Sequence, residues 1–195
     1  MSFSRMPRTD RRDSLLDAGW QLIAERGVDT LTLAEVAKLG GVSKPVAYDH
    51  FGTRAGLLCA LYDRYYSDHI SKLKSALGSA TTIAAAATLI ASAYVDCVIE
   101  SGPVAAALSG AMNGGAEMDA MKLDCDDRYI ALCAATLTDR AGVAPAALAM
   151  VGFIGAAASV SQNVVLGRTS RDEAILYLAT LLVGSVHELP RAPTG

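Results

Sequence analysis

The chain has 195 residues, 52% of them hydrophobic, with 17 Lys+Arg against 20 Asp+Glu and a formal net charge of −3. Its 35 alanines supply much of the mean hydropathy of +0.31; alanine has the best helix propensity, so with only 6 prolines the composition predicts an all-α protein and excludes a disordered one. A pI near 5.6 argues against a chain that is basic throughout and coats nucleic acid, but it leaves room for a local basic face.

The N-terminus, MSFSRMPRTDRRD, lacks the apolar segment of a secretory signal and is the most basic stretch, with Arg5, Arg8, Arg11 and Arg12 against Asp10. Leu16, Trp20 and Ile23 then recur at helical spacing up to Gly27, which predicts a first helix over 10–26 with a glycine cap. Thr32 followed three residues later by Glu35 is a capping box, so a second helix starts at Leu33 and ends at the Gly40-Gly41 turn. Ser43 caps a short third helix over 44–50, with Pro45 in the first turn where a missing N–H costs nothing. Thr53 caps a fourth, whose stripe runs from Leu57 through Leu61, Tyr65, Ile70 and Leu73 to Leu77.

Residues 1–66 carry 9 Lys+Arg and 8 Asp+Glu, net +1, whereas 67–195 carry 8 and 12, net −4. The expected organisation is therefore a polar N-terminal arm and module over 1–53, a connecting helix over 54–78 and an Ala-rich helical body over 79–195. Two short helices around a glycine turn form either an αα-hairpin or a helix-turn-helix that sets its second helix in the DNA major groove. Val36, Val42 and Ala47 read as inward positions, and Ala37 as the small residue where the helices cross. Lys44, Pro45, Val46, Tyr48, Asp49 and His50 form no hydrophobic stripe, and a cation, a phenol and an imidazole so close together suit a phosphate-lined groove. On their own, Tyr48 packing on the first helix and His50 capping a helix end are the better readings.

From Arg11 to about Leu61 the chain resembles the TetR family of bacterial regulators, with LLDAGWQLIAERG, LTLAEVAKLGGVSKPVAYDHF and TRAGLL in register. The resemblance implies an N-terminal three-helix DNA-binding domain and a C-terminal helical domain that binds a small molecule and dimerises. It implies a homodimer, in most members a repressor, that occupies palindromic double-stranded operator DNA and is released by its effector. Carried over by position, Thr32, Lys44, Tyr48 and His50 match phosphate contacts, Ser43 caps the helix beside them, and Pro45 and Val46 face base edges. Arg54 stands where the family often has lysine and is expected to hold a phosphate in bidentate form. Val46 replaces the usual threonine, so with Pro45 it offers apolar contact to thymine methyl groups. Asp49 either accepts from a cytosine amine or pairs with Arg54.

Beyond residue 78 the breaks at Gly102-Pro103, Gly114-Gly115, Gly142 with Pro145, and Gly167 predict helices over 81–101, 103–112, 115–141, 145–166 and 171–188, then a frayed tail at Arg191-Ala192-Pro193. Residues 141–167 hold no formal charge and are long enough to cross a bilayer. Pro145, the Ala and Gly content, and the polar run Ser159, Ser161, Gln162 and Asn163 make a buried helix the better reading, and no membrane partner is expected. Ala149, Gly152, Ala156 and Ser159 form a flat face, with Ile175, Leu178, Leu182 and Val186 as the facing stripe; in the resembled family the last two helices form the dimer interface, and ordinary core is the alternative. Tyr94, Cys97, Met112, Met121, Cys125, Tyr129, Phe153 and Asn163 mix soft apolar surface with hydrogen-bonding tips and are the candidate lining of a pocket for an uncharged, apolar or weakly polar effector.

Cys59, Cys97, Cys125 and Cys133 contain no C-x-x-C and read as reduced, mostly buried thiols of a cytoplasmic protein, and the acidic run from Glu117 to Asp127 reads as a solvated face, so no metal or cofactor is expected. His50, His69 and His187 are scattered, and no G-x-S-x-G or Gly-rich loop after a strand is present, so no catalytic residue is expected. The rival to a regulator is a helical interaction protein that binds no operator.

Overall fold

The computed structural model describes residues 7–186; Arg5, His187 and the expected tail at Arg191 to Pro193 lie outside the described residues. Those described are all-helical: α1 (Arg8–Arg26), α2 (Leu33–Leu39), α3 (Lys44–Phe51), α4 (Arg54–Leu77), α5 (Ile83–Ala111), α6 (Ala116–Ala141), α7 (Ala147–Val165) and α8 (Arg171–Gly184), with a 3-10 turn at Val28–Thr30.

Local chemistry sets most of these ends. Gly27 takes a φ of 82° and donates its N–H to the Ile23 carbonyl at 2.9 Å, closing α1. Thr32 Oγ1 accepts from the Glu35 N–H at 3.2 Å, but the Glu35 carboxylate turns to Arg26 at 3.5 Å, so half of the expected capping box forms. A complete reciprocal box stands instead at α8, between Ser170 and Glu173. The expected break between two helices falls inside α5, where Gly102 adopts φ 53° and ψ −141° ahead of Pro103. α7 starts two residues after the buried Pro145, because Ala146 stays extended and donates its N–H to the Ser185 carbonyl at 3.0 Å, fastening the start of α7 to the end of α8.

The chain divides into two compact units. The first runs to Tyr65 and includes Pro103–Leu123; the second comprises Tyr66–Gly102 and the residues from Asp124 onward, so α4 is shared between them instead of forming a separate connector. In the first unit Leu15, Leu16 and Leu22 of α1, Val36 and Ala37 of α2, Ala47 of α3 and Leu57, Leu58 and Leu61 of α4 are buried together. Gly19 lets α1 approach α4 closely, since a Cβ there would meet both Leu61 methyls at 3.3 Å. Arg64 pairs with Asp17 at 2.8 Å and donates to the Asp13 carbonyl, and Trp20 stacks on Tyr65 at 5.7 Å.

In the second unit Leu73 and Leu77 of α4, Ile90 and Val95 of α5, Tyr129, Cys133 and Leu137 of α6, Phe153 and Ala157 of α7 and the inner face of α8 form one core. α5 and α7 are apolar and long enough to cross a bilayer, yet α5 is interrupted at Gly102-Pro103 and α7 turns Met150, Phe153, Ala157 and Ser161 inward. Here the expected dimer stripe is corrected. Ile175, Leu178 and Leu182 are 8%, 0% and 0% exposed and belong to the unit's own core, against which Val186 and Ala156 also pack. On α7, α8 and the turn after α7 the outward large apolar residues are Leu148, Val151, Val165, Leu166, Leu176, Tyr177 and Leu181. α8 is apolar on more than one face, and helical periodicity cannot say which of them meets α7.

Candidate nucleic-acid interface

The α2–α3 junction is built by hydrogen bonds and one glycine conformation. Gly40 N–H donates to the Val36 carbonyl at 2.8 Å, Gly41 adopts a φ of 66°, and Val42 N–H returns to the Ala37 carbonyl at 2.9 Å. A Cβ on Gly40 would sit 3.0 Å from Leu15 Cδ2 and 3.2 Å from the Val36 carbonyl oxygen, so this turn also packs tightly on α1. Ala47 and Phe51, four residues apart on α3, point into the core at 0% and 8% exposure.

The opposite face of α3 is therefore open. Lys44, Pro45, Tyr48 and Asp49 are all exposed, Tyr48 at 53%, while Val46 and His50 are half-buried. Tyr48 thus stands away from α1, and a polar face with one large exposed aromatic meets solvent where an ordinary core helix would not. Ser43 occupies the N-cap of α3 but makes no side-chain cap bond, and Thr32 uses its oxygen as acceptor for the α2 cap while its hydroxyl hydrogen is left to donate.

The electrostatics follow from α1. His50 is held below its ordinary value of 6.5 first by burial and then by Arg8, Arg11 and Arg12, against an opposing pull from Asp49. Arg12 also lies over the Phe51 ring at 5.7 Å. The first turns of α1 therefore set three guanidinium charges beside α3. The sequence signal for them was the arginine run, but their placement at the α3 face was not foreseen.

Arg54 takes a different role from the one expected. Its Nε donates to the Leu31 carbonyl and its Nη2 to the Val28 carbonyl, both at 2.9 Å, so the fork clamps the 3-10 turn to α4 in place of a phosphate, and it is not the partner of Asp49. Arg54→Ala is accordingly expected to lower unfolding stability by about 1–2 kcal/mol through two unsatisfied carbonyls. Denaturant unfolding measures this; an unchanged midpoint together with a shallower salt dependence of DNA binding would restore the phosphate role.

The candidate effector residues separate. Met112, fully buried, and Met121 belong to the first unit. In the second unit Tyr94 meets Tyr129 edge-on at 5.7 Å and Phe153 at 6.5 Å, and Cys97 lies close enough to Tyr129 to influence its titration. Cys125 is buried with its Sγ accepting from Arg128 at 3.1 Å, and Asn163 spends its side-chain amide on the Ser159 carbonyl at 2.9 Å near the end of α7. His69, absent from the expected set, stacks on Tyr129 at 5.1 Å. Its signal was available: Tyr62, Tyr66, His69 and Leu73 share the buried stripe of α4 at four- and three-residue steps. Of the acidic run, Asp124 pairs with Arg128 at 3.0 Å and Asp126 accepts from the Tyr66 hydroxyl at 3.1 Å.

Residues 15–61 match the family model described as bacterial regulatory proteins, tetR family. The HTH-type transcriptional activator FasR of Mycolicibacterium smegmatis is 36% identical over 78 residues, which is 40% of this chain and 36% of that protein, so the chain spans about a third of the length of this curated relative. Similarity in fold extends further. A TetR-family transcriptional regulator from a Rhodococcus species superimposes with a TM-score of 0.73 at 19% identity, covering 91% of this chain and all of that one. The regulator FadR from Bacillus subtilis, solved in complex with stearoyl-CoA, gives a TM-score of 0.72 at 17% identity over 90% of this chain and 99% of its own.

Proposed function

We propose that the chain is a member of the TetR family of bacterial regulatory proteins, whose model its residues 15–61 match, and that it is a cytoplasmic DNA-binding transcriptional regulator that acts as a homodimer on a palindromic operator. The observation that carries this reading is the open face of α3, with Lys44, Pro45, Tyr48 and Asp49 exposed beside the α1 arginines. In this role Lys44, Tyr48, Thr32 and Ser43 meet phosphates, His50 lies at the edge of the interface, and Pro45 and Val46 approach base edges. Dimerisation is supported by the apolar residues that α7 and α8 leave outside, Leu148 at 78%, Val151 at 59%, Leu176 at 71% and Tyr177 at 54% exposure, with exposed Gly152 and Ser159 and the half-buried Ala149 among them. The second unit is the effector-binding part, and effector binding releases the operator and lifts repression.

Footprinting on the DNA upstream of the chain's own gene tests the reading. Protection of two half-sites about 34–36 Å apart, or a small multiple of that, is expected. Absence of protection on any upstream DNA would leave the helical interaction protein as the better account. Lys44→Ala is expected to weaken binding to every operator sequence and to reduce the slope of log affinity against log salt by about one. An unchanged slope in a filter-binding titration removes Lys44 from the phosphate contacts. Light scattering reports the oligomer, and a reporter that rises when the gene is deleted reports repression; a fall would mark activation, the sense that the name of FasR carries.

A further inference from the structure

Buried polar atoms in folded proteins nearly always have a hydrogen-bond partner, and those that do not call for an explanation. In the second unit His69 Nε2 is shielded from solvent and lacks one, and Tyr129 Oη, equally shielded, has only the weakly hydrogen-bonding Cys133 thiol beside it. Their rings lie stacked 5.1 Å apart at an interplanar angle of 7°, and Tyr94 meets the two edge-on at 5.9 and 5.7 Å. Phe153 adds a fourth ring at 6.5 Å from Tyr94, so α4, α5, α6 and α7 each send one aromatic to the same place. Further along the inward face of α7, Ser161 is a fully buried hydroxyl with no partner.

A core that needed only to be filled would be served by phenylalanine and leucine at these positions. The cations nearby are engaged elsewhere: Arg128 with Asp124 and the Ser67 hydroxyl, and Lys72 at the surface with Glu100. No carboxylate is among the rings that converge. Burial holds His69 near 4 and Tyr129 well above 10, so both are neutral at pH 7. Such a site strongly disfavours a net charge and offers hydrogen bonds to a neutral group.

We propose that His69 and Tyr129 are the polar anchors of a buried site for an uncharged small molecule, one that carries an amide or hydroxyl group on an apolar body. This deepens, and rests on, the reading of the second unit as effector-binding. The bound group hydrogen-bonds to His69 Nε2 and Tyr129 Oη, its body lies among the rings of Tyr94 and Phe153, and an anionic head is rejected.

Calorimetric titration of the full-length protein at pH 7 with naphthalene-2-carboxamide and with its isosteric anion 2-naphthoate tests the charge rule, and stearoyl-CoA serves as the anionic lipid alternative. The amide is expected to bind at least about tenfold more tightly than the naphthoate. Tyr129→Phe and His69→Phe are each expected to weaken the amide about tenfold. The unliganded variants are expected to melt at the wild-type temperature or above, because each removes a buried polar atom that has no partner (His69) or only a thiol (Tyr129); a merely structural pair would lower the melting temperature and leave binding unmoved. Equal binding of naphthoate, binding of stearoyl-CoA alone, amide binding unchanged in both variants, or no amide binding overturns the proposal. Operator release separates the two readings. Amide binding that obeys the variants but leaves the operator bound keeps this site and defeats the effector reading. Release by stearoyl-CoA that is equal in wild type and variants does the reverse.

Discussion

Gly56→Ala is expected to destabilise the N-terminal unit by about 3 kcal/mol and to cost operator affinity with it. The Phe51 carbonyl oxygen at the end of α3 lies directly where a Cβ on Gly56 would be placed, and Thr53 Oγ1 is 3.6 Å from the same point. The obstacle is backbone, so no rotamer change relieves it. The connection is short and already committed: Gly52 takes a φ of 67° and donates to the Tyr48 carbonyl at 2.8 Å, while Thr53 donates to the Phe51 carbonyl at 2.7 Å and caps α4 through Gly56 N–H at 3.0 Å. Accommodating a methyl group requires the end of α3 to move away from α4, which displaces Lys44 and Tyr48 relative to the α1 arginines. Denaturant unfolding and filter binding check both parts. A variant with wild-type midpoint and wild-type affinity would show that this junction yields without consequence.

Acidification is the second large effect, and it runs through His69. Burial, and after it the charge of Lys72, lowers the folded-state pKa of this side chain from 6.5 to about 4. Tyr94 from α5 and Tyr129 from α6 are the titratable groups whose rings meet it, and Tyr129 stays neutral throughout this range. Because the folded value is the lower one, the unfolded chain takes up the proton first as pH falls. Stability is complete above about pH 6.5, declines as the pH drops and levels off near 4, a loss of about 3 kcal/mol from this residue. Carboxylates add their own acid dependence, so the measurement is a difference: wild type minus His69→Phe, by denaturant unfolding between pH 7 and 4. The difference is expected to fall by about 3 kcal/mol across that window, and a flat difference would mean that His69 is solvated.

Much of the N-terminal unit was legible because its signals are local. The cap at Thr32, the glycines at 27 and 41 and the proline in the first turn of α3 act within four residues of themselves, and each of α1 to α4 begins and ends within two residues of the expected place. The open face of α3 was legible for the same reason: Ala47 and Phe51 are its only strongly apolar inward pair, so the rest had to face out. The Arg54 fork was not legible, since its acceptors are the carbonyls of Val28 and Leu31, more than twenty residues away, and any carbonyl looks alike in a sequence. The outward face of α8 was misassigned on comparable grounds. Ile175, Leu176, Leu178, Leu181 and Leu182 offer two apolar faces of similar weight, and nothing within the helix ranks them.

The amino-acid sequence by itself determined the all-helical class, the number and ends of the N-terminal helices, the chemistry exposed on α3 and the basic run that precedes it. Those properties depend on backbone propensity, capping and charge, which neighbours along the chain supply. Only the tertiary structure decided that Ile175, Leu178 and Leu182 fill the core while Leu176 and Tyr177 face outward. It alone brought His69 of α4 onto Tyr129 of α6, 60 residues later, and turned Arg54 into a clamp. The physical reason is that burial and hydrogen-bond partnership are set by which helix faces meet, and that choice is made jointly by elements far apart in sequence.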